Sequence, residues 1–326
     1  MPADRHPAHC VSARDVEAAA LRISDDVLRT PSIASEALGR AAGRPAAAKC
    51  ESMQRTGSFM IRGASNAVRL LDASSAARGV VTHSSGNHAL ALATAAAARG
   101  IPAHVVMPAN ASPFKRAAVE AAGATVHSCG DTAAERAAAC VEVARRTGAF
   151  TVPPYDHPWT IAGQGTVGLE IAEQVPDAAT VVVPVGGGGL VGGIAVALRA
   201  VRPGIRIVGA EPALADDAAE SVRTGRLAPQ RPPVSIADGL RAPLGELTFP
   251  LVRDLVDDVV TVTEDEIVDA MRFAFERMRV VIEPSAAVGV AALLAGRCGG
   301  DASRPAVVVL CGGNVDLAAL PWLARR

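Results

Sequence analysis

The fold of this chain is decided by the stretch TVVVPVGGGGLVGGIAVALRA, which runs from Thr180 to Ala200. Its first part, up to Val185, is rich in valine, as expected of a strand buried on both faces of a parallel sheet. Its last part, from Leu190, is mostly small and apolar and predicts a helix packed on that sheet. A strand, a glycine turn and a helix in this order predict an α/β fold built from βαβ units.

Four consecutive glycines, Gly186, Gly187, Gly188 and Gly189, join that strand to its helix. Residues without a Cβ atom allow backbone N–H groups to approach an anion, and the N-terminus of the helix adds positive charge. The run therefore predicts a phosphate site. A tight strand-to-helix turn is the alternative, although one or two glycines would be enough for it. The lysine and hydroxyl residue of a nucleotide P-loop are missing.

Short β-branched runs alternate with longer alanine-rich stretches along most of the chain, which is typical of βαβ units around parallel sheets. We expect a small domain at 77–153 and a large domain made of 1–76 and 154–326. The predicted strands are Val80–His83, His104–Met107, Thr125–Ser128, Thr180–Val185, Ile205–Ala210, Val259–Val262 and Ala306–Leu310. The predicted helices are Asn87–Arg99, Pro113–Ala122, Asp131–Thr147, Gln164–Gln174, Leu190–Ala200, Pro284–Ala295 and one beginning near Glu264.

The composition argues against several classes of protein and site. The 326 residues carry a net charge of −1 and contain no basic run, which argues against binding to nucleic acid. The sequence has no run of about 18 apolar residues, so no membrane span is expected. Met1 to Ala13 lacks the apolar region of a signal peptide. The 6 cysteines have no C-x-x-C spacing, so we expect reduced thiols in a cytoplasmic protein without a zinc site.

A polar segment, Ser84-Ser85-Gly86-Asn87-His88, follows the first strand of the small domain and opens a helix. Free backbone amides at such a position can hold a carboxylate. An asparagine helix cap with polar neighbours is the alternative. The segment therefore predicts a binding site for a carboxylate-bearing small molecule.

The segment from Thr56 to Ala64 reads T-G-S-F-M-I-R-G-A. It resembles the motif T-G-S-F-K-x-R-G-A of the fold-type II pyridoxal-phosphate (PLP) enzymes, a family that includes serine and threonine dehydratases and serine racemases. In that family the motif lysine forms the Schiff base with the cofactor. Met60 stands at this position, and a thioether has no exchangeable proton. The chain has two lysines: Lys49, which the pattern places on a strand preceding this segment, and Lys115, on a predicted small-domain helix.

Motif order and spacing are closest to the serine racemases over roughly residues 27 to 316. The resemblance implies that the Ser84 to His88 loop grips the substrate carboxylate, and that Asn87 hydrogen-bonds the phenolic oxygen of PLP. Ser85 would face the cofactor from the side opposite Met60. Ala89 and Leu90 depart from the glycine and glutamine usual in the racemases, which places nucleotide activation in doubt.

Further cofactor contacts are implied for Phe59, the glycine run, Glu283 in an E-P-S-A segment, and Cys311 in a C-G-G-N segment. Cys311 would face the pyridine nitrogen as a neutral partner, which suits elimination of a β-hydroxyl group. A buried structural cysteine is the alternative. Ser235 to Gly239 matches another segment that lines the cofactor cleft.

A divalent-cation loop is also implied, with Glu211, the carbonyl of Ala215 and Asp217 as ligands for Mg²⁺ or Ca²⁺. Solvated acidic loop residues are the alternative. The family pattern suggests a homodimer.

The resemblance implies a PLP-dependent ammonia-lyase, and possibly a racemase, that acts on L-serine, L-threonine or a related β-hydroxy amino acid. Because removal of a positioned base costs about 10²–10⁴-fold in rate, Met60 predicts little or no turnover. Three explanations fit: an engineered Lys→Met change, a natural non-catalytic relative that binds PLP, an amino acid or a partner, or an enzyme with chemistry independent of a Schiff base.

Overall fold

The computed structural model describes residues 9–84, 86–111, 113–229 and 234–322. Its strands are β1 (Ser32–Ala34), β2 (Ala46–Lys49), β3 (Val80–His83), β4 (Ala103–Pro108), β5 (Thr125–Cys129), β6 (Phe150–Thr151), β7 (Thr180–Pro184), β8 (Arg206–Pro212), β9 (Asp258–Val262) and β10 (Ala306–Val309).

Helices cover both sheets. They are α1 (Ala13–Arg22), α2 (Glu36–Ala42), α3 (Met60–Leu70), α4 (Ala73–Arg78), α5 (Asn87–Arg99), α6 (Pro113–Ala121), α7 (Ala133–Thr147), α8 (Pro158–Gln174), α9 (Gly189–Val201), α10 (Asp217–Thr224), α11 (Thr248–Leu255), α12 (Glu264–Phe273) and α13 (Pro284–Leu294). A π-helical turn, Ala274–Met278, extends α12.

The strands form two sheets. The larger has the order β1-β2-β10-β7-β8-β9, and the smaller has the order β5-β4-β3-β6. All pairings are parallel except that of β1 with β2. This confirms the predicted α/β fold with two mostly parallel sheets flanked by helices. Parallel strands end at the same edge of a sheet, so the loops that follow β3 and β7 can meet across a cleft.

The core lies where the sequence is most apolar. Strands β7 and β10 are buried along their whole length, and so are nearly all residues of α9 and α13. A second cluster surrounds the small sheet and includes Ile61, Ala64 and Val68 of α3 together with Leu92 of α5. Helix α3 therefore packs with the small sheet although it precedes residue 77. The domain boundaries themselves remain a prediction.

The predicted strands and helices are all present; β3 and α5 have the predicted ends, and the other elements with two predicted ends differ at one or both of them. Helix α8 begins at Pro158 rather than near Gln164, because His157 caps it by accepting a hydrogen bond from Trp159 N at 3.2 Å. Helix α7 begins later than predicted because Thr132 forms a capping box with Glu135. Among the described residues, no helix is long and apolar enough to cross a membrane.

Candidate active site

Three motifs that are separate in sequence meet at the residues just before α3. Ser58 forms an isolated β-bridge with Gly312, and the backbone N–H of Phe59 donates to the carbonyl of Cys311 at 3.0 Å. The N–H of Glu283 donates to the carbonyl of Gly312 at 3.1 Å. The segments T-G-S-F, E-P-S-A and C-G-G-N, which lie far apart in sequence, therefore share one wall.

Asn87 ties this wall to the small sheet. Its side-chain Nδ2 donates to Glu283 Oε1 at 2.8 Å, and its Oδ1 accepts from Asn314 Nδ2 at 2.9 Å. The second proton on Nδ2 is available for a further acceptor, because an amide nitrogen carries two. Burial raises the pKa of the Glu283 carboxyl to about 8, and the carboxylate of Asp238 contributes to the rise.

The glycine run forms a cradle that only glycine fits. Gly188 has φ +83° and precedes the first residue of α9. A Cβ atom on Gly187 would lie 2.3 Å from Cγ of Tyr155, and one on Gly186 would lie 3.1 Å from the carbonyl oxygen of Gly239. Gly187 to Leu190 are buried. The first N–H groups of α9 have no acceptor within the helix, and such groups suit a phosphate.

The glycine cradle and the wall are connected through the loop Ser235–Gly239. Gly239 packs on the cradle, and its N–H donates to Ser285 Oγ at 3.0 Å, two residues from Glu283. Lys115 of α6 pairs with Asp238 of the same loop, with Nζ and Oδ2 2.6 Å apart. This ion pair links the small-sheet side of the cleft to the cradle side.

The predicted carboxylate loop lies at the end of β3. Ser84 N donates to the carbonyl of Val106 at 3.2 Å, and Gly86 caps α5. The His88 side chain is buried, its Nε2 lies 3.0 Å from the carbonyl oxygen of Val152, and burial lowers its pKa to about 4. Only the backbone of His88 can therefore reach a ligand. Ser85 lies outside the described residues.

Met60 occupies the first position of α3 and is half-buried. Gln164 Nε2 approaches its sulfur at 3.8 Å, and the Gln164 Oε1 accepts from the N–H of Gly63 at 3.2 Å. The side chain also packs against the cluster around the small sheet. The thioether of Met60 thus lies beside the buried amide of Gln164.

A buried ionic cluster orients α3. Arg62 donates to Glu51 at 2.8 Å and to Glu170 at 2.7 Å. The side chains of Arg62 and Glu51 are buried, and that of Glu170 is 11% exposed. Lys49 donates to Glu170 at 2.5 Å and to the carbonyl of Thr30 at 2.6 Å. Lys49 is therefore bound within the scaffold and is not free for chemistry.

The predicted cation ligands lie together at the end of β8. Glu211 is buried, and its two oxygens accept from Ala219 N at 2.6 Å and Ala218 N at 3.2 Å. Burial raises its pKa to about 8, with repulsion from Asp217 as a further cause. Ala215 is buried nearby in the same turn. The described residues contain no group of three or more His, Cys, Asp or Glu side chains suited to a metal.

The Cys311 thiol is 3% exposed, and burial raises its pKa well above the ordinary range, so it stays protonated. Phe59 is partly buried against the core of the large sheet. The roles of both residues remain predictions.

Two site residues were not identified from the sequence. Tyr155 lies against Gly187, and Gln164 contacts Met60. Tyr155 lies outside the predicted elements, and Gln164 opens a predicted helix without a motif that marks it as a contact of Met60. The one available signal was that Tyr155 is the only tyrosine in the chain.

Comparisons with known proteins find similarity along nearly the whole chain. A family model described as "Pyridoxal-phosphate dependent enzyme" matches residues 23–312. Serine racemase of Rattus norvegicus is 45% identical over 325 residues, with 97% of each chain covered. The β-hydroxyaspartate dehydratase of Paracoccus denitrificans is 42% identical over 308 residues, covering 94% of this chain and 98% of the relative. The structure of maize serine racemase superposes with a TM-score of 0.93 at 43% identity, with 97% of each chain covered.

Proposed function

This chain belongs to the pyridoxal-phosphate dependent enzymes, and from that membership we propose that its cleft serves elimination or racemisation of a β-hydroxy amino acid such as L-serine or L-threonine. The observation that carries the proposal is the meeting of the glycine cradle, Asn87 and Cys311 around one cleft. The relatives named serine racemase and β-hydroxyaspartate dehydratase support the substrate class.

The residues fit PLP. The amides of Gly186 to Gly189 would hold its phosphate, the second proton on Asn87 Nδ2 would reach its phenolic oxygen, and the neutral thiol of Cys311 would face its ring nitrogen. When bound, the cofactor supplies an electron sink for charge that develops at the substrate Cα.

The chain's own residues would then orient the amino acid. The N–H groups of Ala89 and Leu90 donate to the carbonyl of Gly86, so the amides of Asn87 and His88 are the ones left to bind the substrate carboxylate. Ser84 and the backbone of His88 complete the loop. We propose Ser85 as the residue that delivers a proton from the face opposite Met60.

The remaining group is the base at position 60. A thioether cannot accept and return the Cα proton, so we propose that turnover is lower by at least about 10²–10⁴-fold than with a lysine there. A non-catalytic protein that binds PLP or an amino acid is the second candidate, favoured by Met60 itself. Both share the same cofactor site.

Restoring the amine tests this proposal. A Met60→Lys variant, with Met60→Leu as the matched control, would be mixed with PLP and assayed for 2-oxo acid release from serine, threonine and threo-3-hydroxyaspartate. We expect the lysine variant alone to gain a visible absorbance change on cofactor attachment and to release product. Absorbance without product on any substrate would contradict the dehydratase assignment.

We also propose that Glu211, the carbonyl of Ala215 and Asp217 bind Mg²⁺ or Ca²⁺. The support is electrostatic, because a cation would offset the burial and mutual repulsion of the two carboxyls. Either ion should raise the melting temperature of the chain, and Glu211→Gln should remove that rise. An equal rise in both proteins would exclude this site.

A homodimer is proposed from an exposed apolar face. Ile33 is 43% exposed, Phe275 is 46% exposed, and a cavity of about 370 Å³ lies between β1, α2 and Arg277–Met278. The ring centroids of Phe275 and Trp322 lie 6.4 Å apart. Sedimentation equilibrium should give twice the mass of 33.2 kDa, and a Phe275→Asp variant should give the monomer mass.

A cytoplasmic location is proposed because all six cysteines are free. Fractionation of cells that express the tagged chain would test this, since recovery with a membrane or secreted fraction would contradict it.

A further inference from the structure

Two histidines face each other on the small sheet. Nδ1 of His104 lies 3.1 Å from Nε2 of His127, and the ring centroids are 5.3 Å apart with the ring planes tilted by 45°. Within the described part of the chain, neither ring makes another hydrogen bond. A neutral imidazole carries one N–H and one lone pair. The two nitrogens thus point at one shared position, with no carboxylate or carbonyl between them.

The sheet holds the two rings in this arrangement. Strands β4 and β5 are parallel, and Val106 lies opposite His127 in their register, so that His104, two residues before Val106, lies on the same face. Helix α7 covers part of this face, since its Cys140 and Val143 share a buried cluster with Val106. Both histidines remain partly exposed, so an ion from solution can reach them.

The distance between the two nitrogens suits a metal ion as well as a proton. Imidazole nitrogen binds a transition-metal ion at about 2.0–2.1 Å, and an ion at that distance from both nitrogens would see them at an angle of about 100°. This angle lies between the values of square-planar and tetrahedral coordination.

The charge state of the two rings also favours a metal ion. Burial lowers the pKa of both histidines below the ordinary 6.5, repulsion from His127 lowers that of His104 further, and the Arg146 guanidinium on α7 adds to the shift of both. The two imidazoles are therefore mostly neutral near pH 7, which is the form that binds a metal ion. The same guanidinium opposes a cation at this position and limits its affinity.

We propose that His104 and His127 together bind one divalent transition-metal ion of the Ni²⁺, Cu²⁺ or Zn²⁺ type. Imidazole nitrogen suits these ions, whereas Mg²⁺ and Ca²⁺ prefer oxygen ligands. Water fills the remaining coordination positions, since the described residues offer no third His, Cys, Asp or Glu side chain grouped with the pair. The ring that donates in the metal-free hydrogen bond moves its proton to its other nitrogen, so the pair releases no proton.

The ion would join an edge strand to its neighbour. Strand β5 lies at the edge of the small sheet, and none of its five residues is buried. Coordination by one ring from β4 and one from β5 links the two strands in addition to their backbone hydrogen bonds. We therefore expect slower amide hydrogen exchange in Thr125–Cys129 when the ion is bound. Neither histidine belongs to the proposed cofactor site, so this proposal does not depend on PLP binding.

Calorimetric titration of the metal-free, full-length chain with Ni²⁺ tests the proposal. His104→Gln and His127→Gln each remove one ligand and keep a polar side chain. Each should weaken binding by at least about tenfold, because the second metal–nitrogen bond of the pair forms within one molecule. His9→Gln is the matched control and should leave binding unchanged. Arg146→Gln should tighten binding by about two- to fivefold, because it removes a nearby positive charge.

Three results would overturn the proposal. The first is equal Ni²⁺ affinity in the unaltered chain and both ligand variants, which would leave the pair as a hydrogen bond. The second is an equal loss in His9→Gln, and the third is displacement of Ni²⁺ by the same concentration of Mg²⁺, which would move the ion to the carboxylates near Glu211. If a ligand variant lacks the circular dichroism of the folded chain, hydrogen exchange of the unaltered chain decides. Exchange in Thr125–Cys129 that Ni²⁺ does not slow would also overturn the proposal.

Discussion

A single methyl group should disable the glycine cradle. In a Gly187→Ala variant the added Cβ atom would lie 2.3 Å from Cγ of Tyr155 and 2.4 Å from both of its Cδ atoms. Carbon atoms in contact normally stay about 3.5–4.0 Å apart, so the ring or the loop must move by more than about 1 Å. Such overpacking costs about 1–3 kcal/mol. Because the ring and the loop that presents the amides pack on each other, a shift of either disturbs the cradle, and PLP affinity should fall by at least about tenfold as well.

The assay is urea unfolding together with PLP titration by fluorescence quenching. Gly204→Ala is the matched control, since an added Cβ there has no heavy atom within 4 Å in the described part of the chain. A Tyr155→Ala change should relieve the clash, so the double variant should be less destabilised than the sum of the singles by about 1 kcal/mol or more. Additive effects, or a Gly187→Ala variant that behaves like Gly204→Ala, would refute the role assigned to this contact.

Three further predictions concern the supports of the cleft. Arg62→Met should lower the free energy of unfolding by about 3–5 kcal/mol, because it removes the ion-pair partner of the buried Glu51 carboxylate, while Glu170 keeps Lys49. Arg40→Met, which breaks an exposed pair, should change it by less than about 1 kcal/mol. Burial holds the pKa of His88 at about 4, below its ordinary 6.5. As pH falls from about 6.5 towards 4, His88 is therefore protonated in the unfolded chain before it is protonated in the folded chain. This residue alone should lower the free energy of unfolding by about 1.4 kcal/mol per pH unit. His88→Gln should make the slope of unfolding free energy against pH shallower, and an unchanged slope would contradict the assigned burial. Lys115→Ala should remove the pair with Asp238 across the cleft and speed release of PLP in stopped flow; an unchanged release rate would show that the pair does not hold the cleft closed.

The fold was readable from the sequence wherever apolar periodicity was strong. Strands such as β7 and β10 are buried throughout, so their valine runs stand out, and their predicted positions are confirmed. Strand β1 has three residues and is mostly exposed, so it carried no such signal. Helix α1 depends on a capping box at Ser12, a local feature that an overall search for alternation passes over.

Predicting the site was limited by long-range pairing. Each motif was visible locally because glycine, serine and asparagine occur at set spacings. The contact between Lys115 and Asp238 joins residues 123 positions apart, and nothing in either neighbourhood marks the other as its partner. The same holds for Tyr155 and Gly187. The tyrosine ring fills the space that a side chain at position 187 would take, and sequence spacing does not predict such packing.

The contacts that fix the start of α3 do not depend on the side chain at position 60. The start of α3 is fixed by Arg62, whose partners are Glu51 and Glu170, and by the backbone of Phe59 bound to Cys311. None of these contacts uses the side chain at position 60. A lysine there would have to be desolvated, whereas methionine is a good helix former that packs against apolar neighbours without that cost. Under the proposed assignment, a thioether in place of an amine at position 60 would remove the base and the covalent anchor. None of the contacts of the glycine cradle, the Asn87 network or the core would need to change.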